Sequence, residues 1–290
     1  MFNDPAKSQF GSLRSRAARQ FLRNPLAMSG LLIISLLALA ALFAPWVAPF
    51  DPLELDLINP YQSPGIEGHL LGTDNFGRDI LSRLIHGSRI SLFIGIVVVS
   101  IASLIGTLLG IVAGYYGGLV DNAIMRLVEI FYAFPFLILA IAVIALFGPS
   151  IFNVMWVLGL VSWPLYARVV RAQVLSLREA EYVEAARAAG MNNWRIMFKH
   201  ILPNSLTPVL VMATFGIPEA ILASAALGFL GLGVQPPTPE WGVMISEGKD
   251  FIRRAPYLIT WPGIAIMIVV MSFNFVGDGL RDALDPKQTN

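Results

Sequence analysis

Charge-free stretches dominate this chain: residues 24–50, 90–120, 130–167, 200–218, 220–239 and 255–277 contain no Asp, Glu, Lys or Arg. A helix needs about 20 apolar residues to cross a bilayer. The run 130–167 is too long for one crossing, and Gly148-Pro149-Ser150 divides it. Pro218 and Glu219 only interrupt one span between residues 205 and 231. The pattern therefore predicts an all-α membrane protein with six transmembrane helices, near 27–48, 90–113, 126–147, 152–170, 205–231 and 256–277.

Composition agrees with that reading. Of 290 residues, 56% are hydrophobic and 13% charged, against about 25% charged in soluble domains. Charge placement adds orientation. With the N-terminus inside, the inner segments hold Lys7, Arg14, Arg16, Arg19, Arg23, Arg126, Arg168, Arg171, Arg178, Arg187, Arg195, Lys199, Arg281 and Lys287. The outer segments hold only Arg78, Arg83, Arg89, Lys249, Arg253 and Arg254. The positive-inside bias predicts both termini in the cytoplasm. Three regions follow: 1–88 with an Arg-rich amphipathic start on anionic lipid, the first span and an external loop; a five-helix core, 89–279, with a cytoplasmic loop at 172–204; and a tail, 280–290. The apolar run after Arg23 is longer than a signal-peptide core and reads as a retained anchor. The charge pattern gives no reason to expect a nucleic-acid partner.

The cytoplasmic loop has its own periodicity. Ser176 with Glu179 reads as a capping box, and Tyr182, Ala185, Ala186 and Ala189 share one face of a short helix that Gly190 stops. Asn192 or Asn193 then caps a second helix, in which Trp194, Met197, Phe198 and Ile201 follow the helical period, Trp194, Met197 and Phe198 as an exposed stripe, while Arg195 and Lys199 point elsewhere and Pro203 ends the run. Read from its residues alone, this is either a docking element or an amphipathic hairpin lying on the membrane.

Reactive chemistry is sparse. The absence of cysteine excludes disulfides and thiolate sites. His69, His86 and His200 lie outside the predicted spans without a metal-ligand spacing, so no metal site is expected and a solvated role is expected of each. No span pairs a His with a Ser for intramembrane proteolysis. The stretch Gly242 to Lys249 has the wrong spacing for a phosphate loop, and Asp250 replaces its Ser or Thr. Two acids border or enter the spans. Arg126 offers Glu129 an i, i+3 ion pair, whereas Glu219, following Pro218, lines a polar cavity or bonds to another helix. Gly106, Gly110 and Gly114 recur every fourth residue, which predicts a close-packed helix seam.

The loop segment Glu184-Ala-Ala-Arg-Ala-Ala-Gly190, followed by Leu202-Pro203, resembles the EAA signature of bacterial ABC-importer permeases, with His200 where isoleucine is usual. Four further passages are similar to the C-type permeases of dipeptide, oligopeptide and nickel importers: His69 to Arg83, Phe21 to Gly30, Ala226 to Gly242 and Asn274 to Pro286. The resemblance implies the type I importer permease fold and a chain that hydrolyses nothing itself. It implies that Glu184, Ala185, Ala186, Gly190, Leu202 and Pro203 couple to one of two cytoplasmic ATPases, which bind ATP and Mg. It also implies a homologous B-type permease partner, an external binding protein, and residence in a bacterial or archaeal cytoplasmic membrane. Asp74, Arg78 and Asp79, with Glu240 and Trp241 on a loop stiffened by Pro236, Pro237 and Pro239, are then expected to face that binding protein. Their alternatives are a solvated loop and a rigid turn. An autonomous secondary transporter or channel is the competing reading, and it asks for more ionisable groups at mid-membrane.

Overall fold

The computed structural model describes residues 18–284; the expected Arg-rich start and the last residues of the tail lie largely outside them. Among the described residues the chain is helical, with two isolated bridges in the loop before Ile80. Helix α1 is Pro25–Leu42, opened by Asn24, whose side chain accepts from the Leu26 and Ala27 amides, with proline where a missing N–H costs nothing. A short α2, Ala44–Val47, follows.

Helix α3, Ile80–Tyr116, has 37 residues and starts ten residues before the expected boundary. At 1.5 Å per residue it is about 55 Å long, well beyond a hydrocarbon core of about 30 Å. The extension arises because Asp79 caps it, accepting from the Ser82 amide at 2.7 Å, so the helix begins among charges that hydropathy assigns to a loop. Gly117 and Gly118, at φ 66° and 54°, turn the chain into α4, Gly118–Tyr132, and α5, Phe136–Phe147. These two are bent by 88°. The expected single helix 126–147 is thus corrected: Pro135 removes a donor and disfavours helical geometry at Phe134. Helix α6, Ile151–Leu177, is capped by Ser150. Helix α7 is Glu181–Ala188 and α8 is Asn193–Ile196; a π-helical turn, Met197–Ile201, then leads into α9, Leu202–Phe229. Helix α10, Trp241–Gly248, precedes the last span, α11, Tyr257–Leu284.

The glycine seam fixes the topology. Gly106 meets Trp163 and Tyr166, Gly110 meets Ala167 and Val170, and Gly114 meets Arg171 and Val174. Positions rise together, so α3 and α6 run parallel. The intervening α4 and α5 must then carry the chain back across, and at twelve residues α5 is too short to do so alone. Five long apolar helices plus this bent pair make six crossings. Helix α1 runs antiparallel to α11, with Gly30 against Ser272 and Phe275 and Gly279 against Ala27. Residues 25 and 284 consequently lie at the same end of the bundle as α7 and α8.

A side chain at Gly110 has no room: its Cβ would stand 2.7 Å from the Ala167 carbonyl and 2.8 Å from Val170 Cβ. Gly110→Val is expected to cost about 1–3 kcal/mol, the usual penalty of overpacking, or more. Thermal unfolding in detergent checks it, with Gly263→Ala, where a Cβ meets nothing within 4 Å, as the neutral comparison.

Candidate functional site

The segment between α6 and α9 forms an elbow at the end of the bundle shared by both described chain ends. Helix α6 continues through Ser176, and the Arg178 amide donates to Val174 O at 2.9 Å, so the expected capping box does not form. Helix α7 starts at Ala180 without a side-chain cap; Glu181 and Glu184 occupy its first turn, where the helix dipole favours negative charge. Of the expected shared face, Tyr182, Ala185 and Ala189 are exposed, while Ala186 is buried beside Val183.

Gly190 ends α7 at φ 75°. Its amide donates to Arg187 O at 3.0 Å and the Met191 amide to Ala186 O at 3.1 Å, the two bonds of a Schellman cap, which requires the left-handed conformation that glycine adopts freely. Asn192 then accepts from the Trp194 amide and starts α8, as expected. Ile196, Met197 and Ile201 are fully buried, in one core with Val183, Val174 and Tyr115. Met197 therefore does not belong to the expected exposed stripe. Trp194 and Phe198 do, at 57% and 39% exposure, with rings stacked 5.5 Å apart.

The π-helical turn explains both this face and Pro203. The Leu202 amide donates to Met197 O, five residues back. The wider turn relieves the clash a proline ring otherwise makes with the carbonyl four residues earlier. Pro203 sits in the first turn of α9 rather than ending a run. Leu202 is half-buried and Pro203 exposed. His200 keeps its ring Nε2 buried without a hydrogen-bond partner among the described residues.

Three polar contacts fasten this region to the α3–α4 corner. Tyr115 Oη donates to Asn193 Oδ1 at 2.9 Å, Arg178 Nη1 to Gly114 O at 3.1 Å, and Arg171 holds Asp121 with both guanidinium arms, Nη2 to Oδ2 at 2.6 Å. Glu184 is exposed and makes no side-chain bond to another described residue.

Midway along the bundle a cavity of about 370 Å³ opens among α3, the α4–α5 bend, α6 and α9, lined by Phe131, Tyr166, Phe215 and Glu219 among others. Glu219 lines this cavity and makes no hydrogen bond to another described helix, but the wall is mainly apolar rather than the polar one expected. Glu129 is exposed and paired to Arg126 at 3.0 Å, as expected.

Residues 106–290 match the family described as binding-protein-dependent transport system inner membrane component. The chain belongs to that family. Residues 12–64 further match the N-terminal transmembrane domain of oligopeptide transport permease C. The permease is 50% identical to the dipeptide transport system permease protein DppC of Alkalihalophilus pseudofirmus over 93% of this chain and 89% of that one. It is 48% identical to the di/tripeptide permease DppC of Pseudomonas aeruginosa, over 94% and 91%, and 44% identical to the glutathione permease GsiD of Pectobacterium atrosepticum, over 93% and 89%. Among solved structures the inward-facing MetNI methionine ABC transporter matches 71% of this chain and 98% of that chain with a TM-score of 0.57 and 22% identity, a likeness of fold.

At the opposite end of the permease the expected contact residues are buried. Asp74, Arg78 and Asp79 are 7%, 3% and 2% exposed, and Glu240 and Trp241 1% each, so none of them presents an open surface. Arg78 Nε donates to Asp74 at 2.6 Å and its Nη2 to Glu247 at 3.1 Å; Arg83 donates to the same Glu247 oxygen at 2.6 Å and stands 3.4 Å from Asp74. Asp79 caps α3 and bonds His69 at 2.9 Å, and Phe50 stacks on that imidazole, so His69 is not the solvated residue expected. Glu240 caps α10 through the Val243 amide and accepts from Ser91 at 3.2 Å; burial pushes its carboxyl above the usual carboxylate range. Trp241 Nε1 donates to Leu84 O. These residues bind the loop 49–79 and α10 to α3. Charge pairing across the loop was legible in Asp74 and Arg78, but Glu247 lies 169 residues from Arg78 and no local signal marks it.

Proposed function

We propose that this permease forms one half of the membrane pore of an ATP-driven peptide importer. It pairs with a homologous B-type permease, receives solute from an external binding protein, and carries one of two cytoplasmic ATPases on its elbow. The observation that supports this most is the elbow itself. Glu184, Ala185, Trp194 and Phe198 are exposed together around a turn that Gly190 fixes, on a segment tied to the α3–α4 corner. Apolar rings left open beside small side chains suit a partner that approaches closely. The positive-inside charge bias supports a cytoplasmic elbow and cytoplasmic termini. The dipeptide and di/tripeptide names of the relatives at 50% and 48% identity favour peptide cargo.

In this reading ATP and Mg bind between the partner ATPases, whose closure draws the elbows together. The bundle, rigid along the α3–α6 glycine seam, then turns between inward-open and outward-open states. Glu184 makes the polar contact, the alanines allow approach, and Leu202 and Pro203 pass the motion into α9. The test is reconstitution of the permease with its partner permease, ATPases and binding protein in vesicles. Uptake of radiolabelled dialanine is expected with ATP and not with an ion gradient alone. Ion-driven uptake without nucleotide contradicts the proposal.

A further inference from the structure

Helix α9 carries a carboxylate where a bilayer disfavours one. A charge at the centre of a span costs about 2.5–3.5 kcal/mol on insertion scales, and the buried acids elsewhere in the permease are all engaged. Asp74 has Arg78, Asp121 has Arg171, and Glu240 has Ser91 and the Val243 amide. Glu219 is the one acid in α3, α6 or α9. It is exposed, lines the mid-bundle cavity, and has neither an ion pair nor a hydrogen bond to a described residue. One turn earlier, Gly216 leaves space for the Tyr166 ring, since a Cβ there would press on the Tyr166 hydroxyl and lie 3.1 Å from Val99 Cγ2. That hydroxyl accordingly lies against the same face of α9 that bears Glu219. The rest of the wall is mostly apolar and aromatic, Phe131 from the α4–α5 side and Phe215 from α9 among it.

One carboxylate, one hydroxyl and aromatic faces suit an organic cation. An ammonium group pairs with the carboxylate, bonds to the hydroxyl and is attracted to ring faces. A hydrated divalent metal asks for several oxygen ligands and finds one carboxylate. The volume, about 370 Å³, falls at the lower end of ordinary small-molecule sites. We infer that this cavity binds the protonated amino end of the transported solute, with Glu219 as its counter-ion, Tyr166 as an acceptor, and Phe131 and Phe215 around the adjoining side chain. The inference rests on the peptide reading for the identity of the cation. Tyr166 and Glu219 are then specificity-determining residues, since a solute with a blocked amine leaves the carboxylate unpaired.

The deciding experiment measures binding of leucinamide and N-acetyl-leucinamide to the complete transporter, wild type and Glu219→Gln, with dialanine uptake followed in parallel. Leucinamide affinity is expected to fall at least about tenfold in Glu219→Gln, the loss of a charge-assisted contact, while the weak binding of the acetylated form stays unchanged. Should Glu219→Gln fail to assemble, Tyr166→Phe takes its place, with an expected loss of about threefold. Leucinamide that does not bind the wild type, or binds the assembled variant equally well, overturns the site. The two readings separate cleanly: leucinamide binding that depends on Glu219 without dialanine uptake refutes peptide cargo and leaves the cation site standing. Equal dialanine uptake and equal leucinamide binding by Glu219→Gln refute the site and leave peptide cargo standing.

Discussion

Glu184→Lys is expected to lower ATP-dependent uptake by about tenfold or more while leaving the folded permease in the membrane. The side chain is exposed and has no partner among the described residues, so reversing its charge removes no described contact. The folding cost is limited to an unfavourable charge in the first turn of α7, about 0.3–1 kcal/mol. Against a docked ATPase the same change replaces an attractive contact with a repulsive one, and like-charge juxtaposition at an interface costs several kcal/mol. Glu184→Gln, which removes attraction without adding repulsion, is expected to lie between the two. Substrate-stimulated ATP hydrolysis in vesicles is the readout, and thermal unfolding of the same samples reports folding. Wild-type uptake by Glu184→Lys contradicts the coupling role.

Glu247→Ala is expected to produce the largest loss of stability. Two guanidiniums, Arg78 and Arg83, share two carboxylates, Asp74 and Glu247, and both arginine side chains are at most 3% exposed. Removing one acid leaves a buried positive charge uncompensated, which costs about 3–5 kcal/mol. The cluster joins the loop 49–79, the start of α3 and α10, so its failure releases the loop from the bundle. Protease sensitivity is expected to rise within residues 49–79, with a lower unfolding midpoint in detergent. Replacing Arg83 and Glu247 together by Met and Leu is expected to recover part of the loss, because it removes the unpaired charge. An unchanged midpoint in Glu247→Ala contradicts the structural role assigned to the cluster.

Much of the framework was written in local signals. Gly190 announces a left-handed turn and Asn192 a cap, each with a cause within a few residues, and the four-residue spacing of Gly106, Gly110 and Gly114 announces a helix seam without naming the partner helix. Features set by distant or cumulative geometry were not legible. Hydropathy is blind to the 88° bend because residues 130–147 stay apolar on both sides of Pro135. The early start of α3 was hidden because Asp79, an evident charge, serves as a cap. Met197 was assigned to the wrong face because the π-helical turn shifts the period on which the assignment relied. The acids and arginines of the external loop looked solvent-facing because Glu247, which completes their neutralisation, comes from a helix far along the chain. Glu219 was recognisable as an oddity in an apolar run, whereas Tyr166, whose hydroxyl joins it at the cavity, and Gly216, which leaves room for that hydroxyl, have ordinary local sequence.

Cysteine cross-linking tests the central claim most directly, since the chain contains no cysteine to interfere. Single cysteines at Ala188, exposed on α7, and at Ile58, 89% exposed at the other end of the bundle, are introduced into the assembled transporter. Ala188→Cys is predicted to cross-link to an ATPase subunit and to resist membrane-impermeant maleimide in intact cells, while Ile58→Cys is labelled from outside and captures no ATPase. External labelling at Ala188, or ATPase capture at Ile58, contradicts the account.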